Sequence, residues 1–216
     1  AKSTGRPLYV AMHGGGGCPA VVNDSQYRAM QTYWFHTLTE TAVYVAVRGV
    51  TNSWKLHWEN ASFPCYDRIV ENCVRFLDVD PNRVYLMGYS AGGDGAWRVT
   101  PVMPDRFAAA NMCAGHPNGV DLTNFMHVPM LLEVGENDTA YNRHRVTVEY
   151  GHRLEALART HGEGYRSETR VHTAAGHSAI KNHTGTCSVV ANNATWIERG
   201  ATVGACASKR VQASAD

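Results

Sequence analysis

Between Arg83 and Gly95 the chain reads Arg-Val-Tyr-Leu-Met-Gly-Tyr-Ser-Ala-Gly-Gly-Asp-Gly. A bulky apolar run enters Gly88-Tyr89-Ser90-Ala91-Gly92 and leaves at once in a helix-like pattern. That order asks for a strand, a sharp turn carrying Ser90, and a helix. A serine held in a strained turn needs neighbours without Cβ atoms, so that strand and helix pass close together. The start of the helix then aims backbone N–H groups at whatever the serine faces. The bare five-residue pattern also suits a flexible loop. The strand before it and the helix after it favour Ser90 as a candidate nucleophile.

The same alternation runs through the chain. Leu8–Met12, Ala42–Val47, Phe107–Cys113, Met130–Val134 and Glu168–Thr173 are further short apolar runs that read as strands. Helical spacing joins Tyr27, Met30, Trp34 and Leu38, after a cap region at Asn23-Asp24-Ser25. It also joins Tyr66 to Leu77, Ala91 to about Met103, Val146 to Leu157, and Val190 to Ile197. Asp80-Pro81-Asn82 reads as the turn into the serine-bearing strand. Such alternation calls for an α/β fold: a mostly parallel sheet of about six strands with helices on both faces. The expected organisation is one domain over residues 1–206 and a polar tail over 207–216. Open α/β sheets place their sites beyond the C-terminal ends of the strands.

Several strands end in chemically suggestive loops. The first empties into His13-Gly14-Gly15-Gly16-Gly17, whose glycines leave N–H groups free to turn toward one point. The loop Asn52–Trp58 carries Trp54 and Trp58, which suit a substrate wall or a cover for the sheet edge. Asp138 follows the fifth strand in Gly135-Glu136-Asn137-Asp138, and His177 follows the sixth. Serine is a poor nucleophile alone. It needs an imidazole to take its proton and a carboxylate to orient that imidazole. Ser90, Asp138 and His177 are the candidates in those roles. Glu136 is an alternative acid, and His172 and His183 are weaker candidate bases. His116 follows the fourth strand as a substrate contact, and Asp94 suits a helix cap.

With His13-Gly14-Gly15-Gly16, Gly88-Tyr89-Ser90-Ala91-Gly92-Gly93, Gly135-Glu136-Asn137-Asp138 and Gly176-His177 in view, the sequence resembles an α/β-hydrolase over nearly its whole length. It is most similar to the compact, lid-less esterase branch that includes polyhydroxybutyrate depolymerases and feruloyl esterases. The resemblance implies Ser90 as nucleophile, His177 as general base and then acid, and Asp138 as its orienter. It also implies an oxyanion hole from the N–H of Ala91 and an N–H of Gly15 or Gly16. The sequence starts at what corresponds to the family's third strand, so the usual antiparallel first pair is absent or was removed. A short link between the fourth and fifth strands leaves little room for a cap domain.

This points to a serine hydrolase of carboxylic esters, acting on small molecules or polymer ends. A peptidase of the prolyl-oligopeptidase type and a hydrolase-fold binding protein remain as rivals, and an acyltransferase would differ only in its acceptor. Neither cofactor nor metal is called for. At 216 residues and net charge +1, without a Lys/Arg-rich run, the chain is not expected to bind nucleic acid or an anionic membrane surface. It has no apolar run of membrane-spanning length. The six cysteines lack zinc-site spacing. Cys18 with Cys65 and Cys187 with Cys206 are candidate disulfides, set against buried free thiols. Sequons begin at Asn23, Asn60, Asn137, Asn182 and Asn193. The compartment, secreted or cytoplasmic, and the oligomeric state stay open.

Overall fold

The computed structural model describes residues 5–35, 42–162 and 164–178. The proposed last helix, the polar tail, Leu38, His183, the Cys187–Cys206 pair and the sequons at Asn182 and Asn193 lie outside them.

Six strands form one sheet: β1 (Arg6–Met12), β2 (Val43–Val47), β3 (Val79–Tyr89), β4 (Ala109–Cys113), β5 (Met130–Gly135) and β6 (Ser167–His172). Their order across the sheet is β2-β1-β3-β4-β5-β6, and every pairing is parallel. Parallel strands are covered on both faces, which is why β1, β4 and β5 read as nearly unbroken apolar runs. Among the described residues the α-helices are α1 (Ala20–Tyr33), α2 (Ser62–Phe76), α3 (Ala91–Val99) and α4 (Arg143–His161). Met30 of α1, with Trp34 just beyond it, packs on one face against Tyr9, Tyr85 and Met87. On the other face Tyr66 and Val70 of α2, Trp97 of α3 and Leu154 of α4 pack on Leu8, Val10, Leu86 and Leu132.

This topology creates one special place. From β1 the chain moves outward to β2, then returns across β1 to lay down β3 and advance the other way. The loops after β1 and β3 therefore diverge from adjacent strand ends and leave a crevice between them. Met12 at the end of β1 pairs with Gly88 at the end of β3, so the glycine loop and the serine turn begin side by side.

Three local expectations change. Helix α1 begins at Ala20, behind Pro19, and not at the Asn23-Asp24-Ser25 cluster; the side chain of Asn23 is used elsewhere. Asp80-Pro81-Asn82 lies within β3 as a bulge: the register slips between Arg6 and Leu8, and Asp80 Oδ1 accepts the N–H of Asn82 at 2.9 Å. Helix α3 stops at Val99, short of Met103, because Pro101 has no N–H with which to continue it. Cys18 and Cys65 are free thiols whose Sγ atoms donate to Asn23 Oδ1 and to the carbonyl of Ala61, and no bridge joins them. Among the described residues no helix is long and apolar enough to cross a membrane.

Candidate active site

Ser90 sits at the junction of β3 and α3 with φ +57° and ψ −118°, a conformation that non-glycine residues rarely adopt. Its N–H donates to the carbonyl of Cys113 at 2.9 Å, and its carbonyl accepts the N–H of Asp94 at 3.0 Å. The elbow closes so tightly that a Cβ on Gly88 would lie 1.9 Å from the carbonyl oxygen of Gly92. Glycine at position 88 is what lets strand and helix approach.

Two loops bring the other groups to this turn. Asp138 follows β5, is 2% exposed, and its Oδ2 accepts from Nδ1 of His177 at 2.7 Å. Nε2 of His177 then lies 3.0 Å from Ser90 Oγ and is left to accept the hydroxyl proton. Tyr89 donates its hydroxyl to the carbonyl of His177 at 3.1 Å, and the two rings lie 5.3 Å apart. Burial pushes the Tyr89 phenol far above its ordinary pKa, so it stays a neutral donor. Arg143 Nη1 stands 3.6 Å from Asp138 Oδ1, an oxygen that no hydrogen bond reaches among the described residues.

Glu136 has a different task from Asp138. It is exposed, and its Oε2 accepts the N–H of Ala174 at 2.8 Å. The N–H of Asn137 donates to the carbonyl of Ala175 at 2.9 Å. Together they tie the loop after β5 to the loop that carries His177. His172 lies 3.2 Å from the buried carboxylate of Glu133, which also accepts from Asn111, and takes no part at the serine.

The glycine loop borders the other side of the turn. Gly15, Gly16 and Gly17 have φ of +108°, +83° and +59°, a left-handed run that L side chains resist. The N–H of Gly16 donates to Asn23 Oδ1 at 2.9 Å, whereas no side-chain acceptor among the described residues takes that of Gly15. Two buried histidines brace the loop. Gly49 donates its N–H to His13 Nε2 at 3.1 Å, so Nδ1 carries the proton and gives it to the carbonyl of Gly14. His57 Nε2 donates to the carbonyl of His13 at 2.8 Å, and its Nδ1 is buried with no hydrogen-bond partner among the described residues. Burial lowers the pKa of both rings, that of His57 to about 3.

Beside the serine turn lies a cavity of about 170 Å³ lined by Trp54, Trp58, Asp94, His116, Asn118, Tyr141 and Arg143. It holds all three residues singled out as substrate contacts. Trp54 lies so close to Gly17 that a Cβ there would sit 2.3 Å from the indole, and its ring is 6.1 Å from that of Tyr141. The guanidinium of Arg98 lies over Trp58 at 4.8 Å, so this residue belongs partly to the core and partly to the wall. Asp94 does not cap its helix. Its carboxylate accepts the N–H of His116 at 2.7 Å and the side-chain amide of Asn118 at 3.0 Å. Burial raises the pKa of Asp94 against the pull of those bonds.

Sequence reasoning missed Tyr141 and Arg143. Tyr141 and Asn142 are consecutive non-glycine residues at φ +54°, and the ring of Tyr141 lies 4.8 Å from the Arg143 guanidinium. An asparagine after an aromatic residue is a weak cue for left-handed backbone, and nothing local to these residues announces a pocket. Among the described residues no cluster of His, Cys, Asp and Glu could hold a metal ion.

The fold is shared with solved esterases. The chain superposes on a hyperthermophilic esterase of the archaeon Pyrobaculum calidifontis with TM-score 0.63 and 16% identity, over 93% of this chain and 80% of that one. A poly(3-hydroxybutyrate) depolymerase of Bordetella parapertussis gives TM-score 0.62 and 19% identity, over 95% and 85%. The chain has the α/β-hydrolase fold. Within this fold the link between β4 and β5, residues 114–129, holds one short 3₁₀ turn at Thr123–Phe125 and no cap domain. No protein-family model matches the sequence. Over 145 residues it is 27% identical to a bifunctional acetylxylan esterase/xylanase of Neocallimastix patriciarum, spanning 65% of this chain but only 20% of that protein.

Proposed function

We propose that this α/β-hydrolase cleaves carboxylic esters through an acyl-enzyme, with Ser90 as nucleophile. The observation that carries the reading is the hydrogen-bonded chain from Ser90 Oγ through His177 to Asp138. As Oγ attacks the ester carbonyl, Nε2 of His177 takes the hydroxyl proton, and Asp138 steadies the imidazolium that forms. The carbonyl oxygen becomes an oxyanion, received by the N–H groups of Ala91 and Gly15. Gly16 shapes this hole but has given its own N–H to Asn23. When the tetrahedral intermediate collapses, the C–O bond to the alcohol breaks, and Nε2 returns the proton to the departing oxygen. Water then attacks the acyl carbonyl, gives a proton to His177, and releases the acid as Ser90 Oγ regains its hydrogen.

The test is purified Ser90→Ala protein with a short p-nitrophenyl ester and a fluorophosphonate probe. Loss of both hydrolysis and labelling is expected. Persisting Ser90-independent turnover would sink the assignment.

The cavity favours an acylated carbohydrate as substrate. Trp54 and Tyr141 offer apolar faces at its mouth, while Asp94, Asn118 and Arg143 supply acceptors and donors. A sugar ring has the same division, with C–H faces and hydroxyl edges, whereas an alkyl chain would strand the charged groups without water. The acetylxylan esterase named among the relatives supports the same class. Acetylated xylo-oligosaccharides are expected to surpass p-nitrophenyl butyrate in kcat/KM; the reverse order would discard this substrate class.

A further inference from the structure

Asn23 lies in the first turns of α1 with no exposed surface, and its carboxamide is fully engaged. Oδ1 accepts the N–H of Gly16 at 2.9 Å and the thiol of Cys18 at 3.3 Å. Nδ2 donates to the carbonyl of Cys18 at 3.2 Å and to Asn52 Oδ1 at 3.0 Å. Asn52 in turn accepts from Arg48, whose Nε is paired with Asp24 of α1 at 2.8 Å. One side chain thus joins the helix, the glycine loop and the aromatic loop.

A run of four glycines has many conformations open to it, and nothing within the run selects one. The selection comes from outside. Oδ1 holds the Gly16 N–H, which sets the plane of the Gly15–Gly16 peptide and with it the backbone of Gly15. The fit is close enough that a Cβ on Gly15 would fall 2.3 Å from that oxygen. We infer that Asn23 is a positioning residue for the oxyanion hole: its amide holds the glycine loop so that the Gly15 N–H faces the reacting carbonyl at Ser90. This rests on the ester-hydrolase reading above. A preorganised donor acts only when charge develops on the carbonyl oxygen, so the effect belongs in the transition state and not in substrate binding. The sequon at Asn23 has a consequence too, since a carboxamide with both ends bonded and no exposure is closed to glycosylation in the folded chain.

The test compares wild type, Asn23→Asp, Asn23→Leu and Asn52→Ala on a short p-nitrophenyl ester. The readouts are kcat, KM, affinity for a trifluoromethyl ketone that adds to the serine, and thermal midpoint. Asn23→Asp keeps size and acceptor but turns an oxygen toward the Cys18 carbonyl and Asn52. Its kcat is expected to fall by about 10²-fold, KM to stay within about threefold, and ketone affinity to fall in step with kcat. Asn52→Ala removes one anchor only and is expected to lose about tenfold or less in the same pattern; it carries the test if the Asn23 variants do not fold. Unchanged kcat in a folded Asn23 variant, or a loss confined to KM, overturns the proposal. An inactive wild type would instead indict the ester-hydrolase reading, so the two failures are distinguishable.

Discussion

His177 and Ser90 follow strands β6 and β3, three places apart across the sheet, yet Nε2 and Oγ stand 3.0 Å apart. The contact depends on the turn between β3 and α3, which carries Ser90, and on the loop after β6, which carries His177. The far nitrogen of the imidazole is held at 2.7 Å by a carboxylate that is almost fully buried. That hydrogen bond settles the tautomer and leaves the nitrogen facing serine as the acceptor.

Asp138 and Glu136 share a loop, so substitution separates their tasks. Asp138→Asn is expected to lower kcat by about 10⁴-fold, because the amide favours the wrong tautomer. Glu136→Ala removes only the tether to Ala174 and is expected to cost about tenfold or less. Steady-state kinetics on both proteins checks this, and equal losses would reassign the acid.

Stability is expected to fall on the acid side through His57. Burial, reinforced by the charge His13 would carry, lowers its folded pKa from 6.5 to about 3. Between those values the unfolded chain binds a proton that the folded chain refuses, so stability declines as pH drops below 6.5 and is level above it. The lowered pKa of His13 acts in the same direction. Urea midpoints at pH 7.5 and 5 measure the slope. His57→Gln, which keeps a donor for the His13 carbonyl, is expected to flatten it, and an unaltered slope counts against the assignment.

Trp54 and Tyr141 guard the mouth of the cavity at 55% and 63% exposure, so their removal touches binding more than folding. Trp54→Ala and Tyr141→Ala are expected to raise KM for acetylated oligosaccharides by about tenfold each, while kcat on p-nitrophenyl acetate changes by less than about threefold. A uniform loss on both substrates would mean that the rings support the loops and not the ligand.

Arg143 is 8% exposed and touches Asp138 at 3.6 Å, with Tyr141 stacked on its guanidinium. Removing it as Arg143→Met leaves a buried carboxylate without its cation, and a thermal midpoint lower by several degrees is expected. Calorimetry checks it. Arg143→Lys is expected to recover part of that loss, since a lysine restores the charge but not the planar group under Tyr141.

Much of this molecule was legible in the order of its residues. Apolar runs and helical spacing are local signals, so the six strands and the four described helices fell close to their expected places. The glycine-flanked Ser90, and the positions of Asp138 and His177 just past strands, followed from the same local grammar. Where neighbours in space are distant in sequence, that grammar was silent or misleading. Asn23 looked like a helix cap and instead grips the glycine loop. Asp94 looked like a cap and instead holds the loop of His116. Asp80-Pro81-Asn82 made its turn inside a strand because β1 supplied a partner on both sides of it. Tyr141 and Arg143 joined the wall of the cavity only because the loop after β5 meets Trp54. What the sequence determined by itself was which segments are strands and helices, and which side chains stand at their ends, because backbone preference and apolar period act over a few residues. What the tertiary structure alone decided was which of those ends converge, because that depends on a sheet whose direction of growth reverses at β1 and β3 and opens its crevice there.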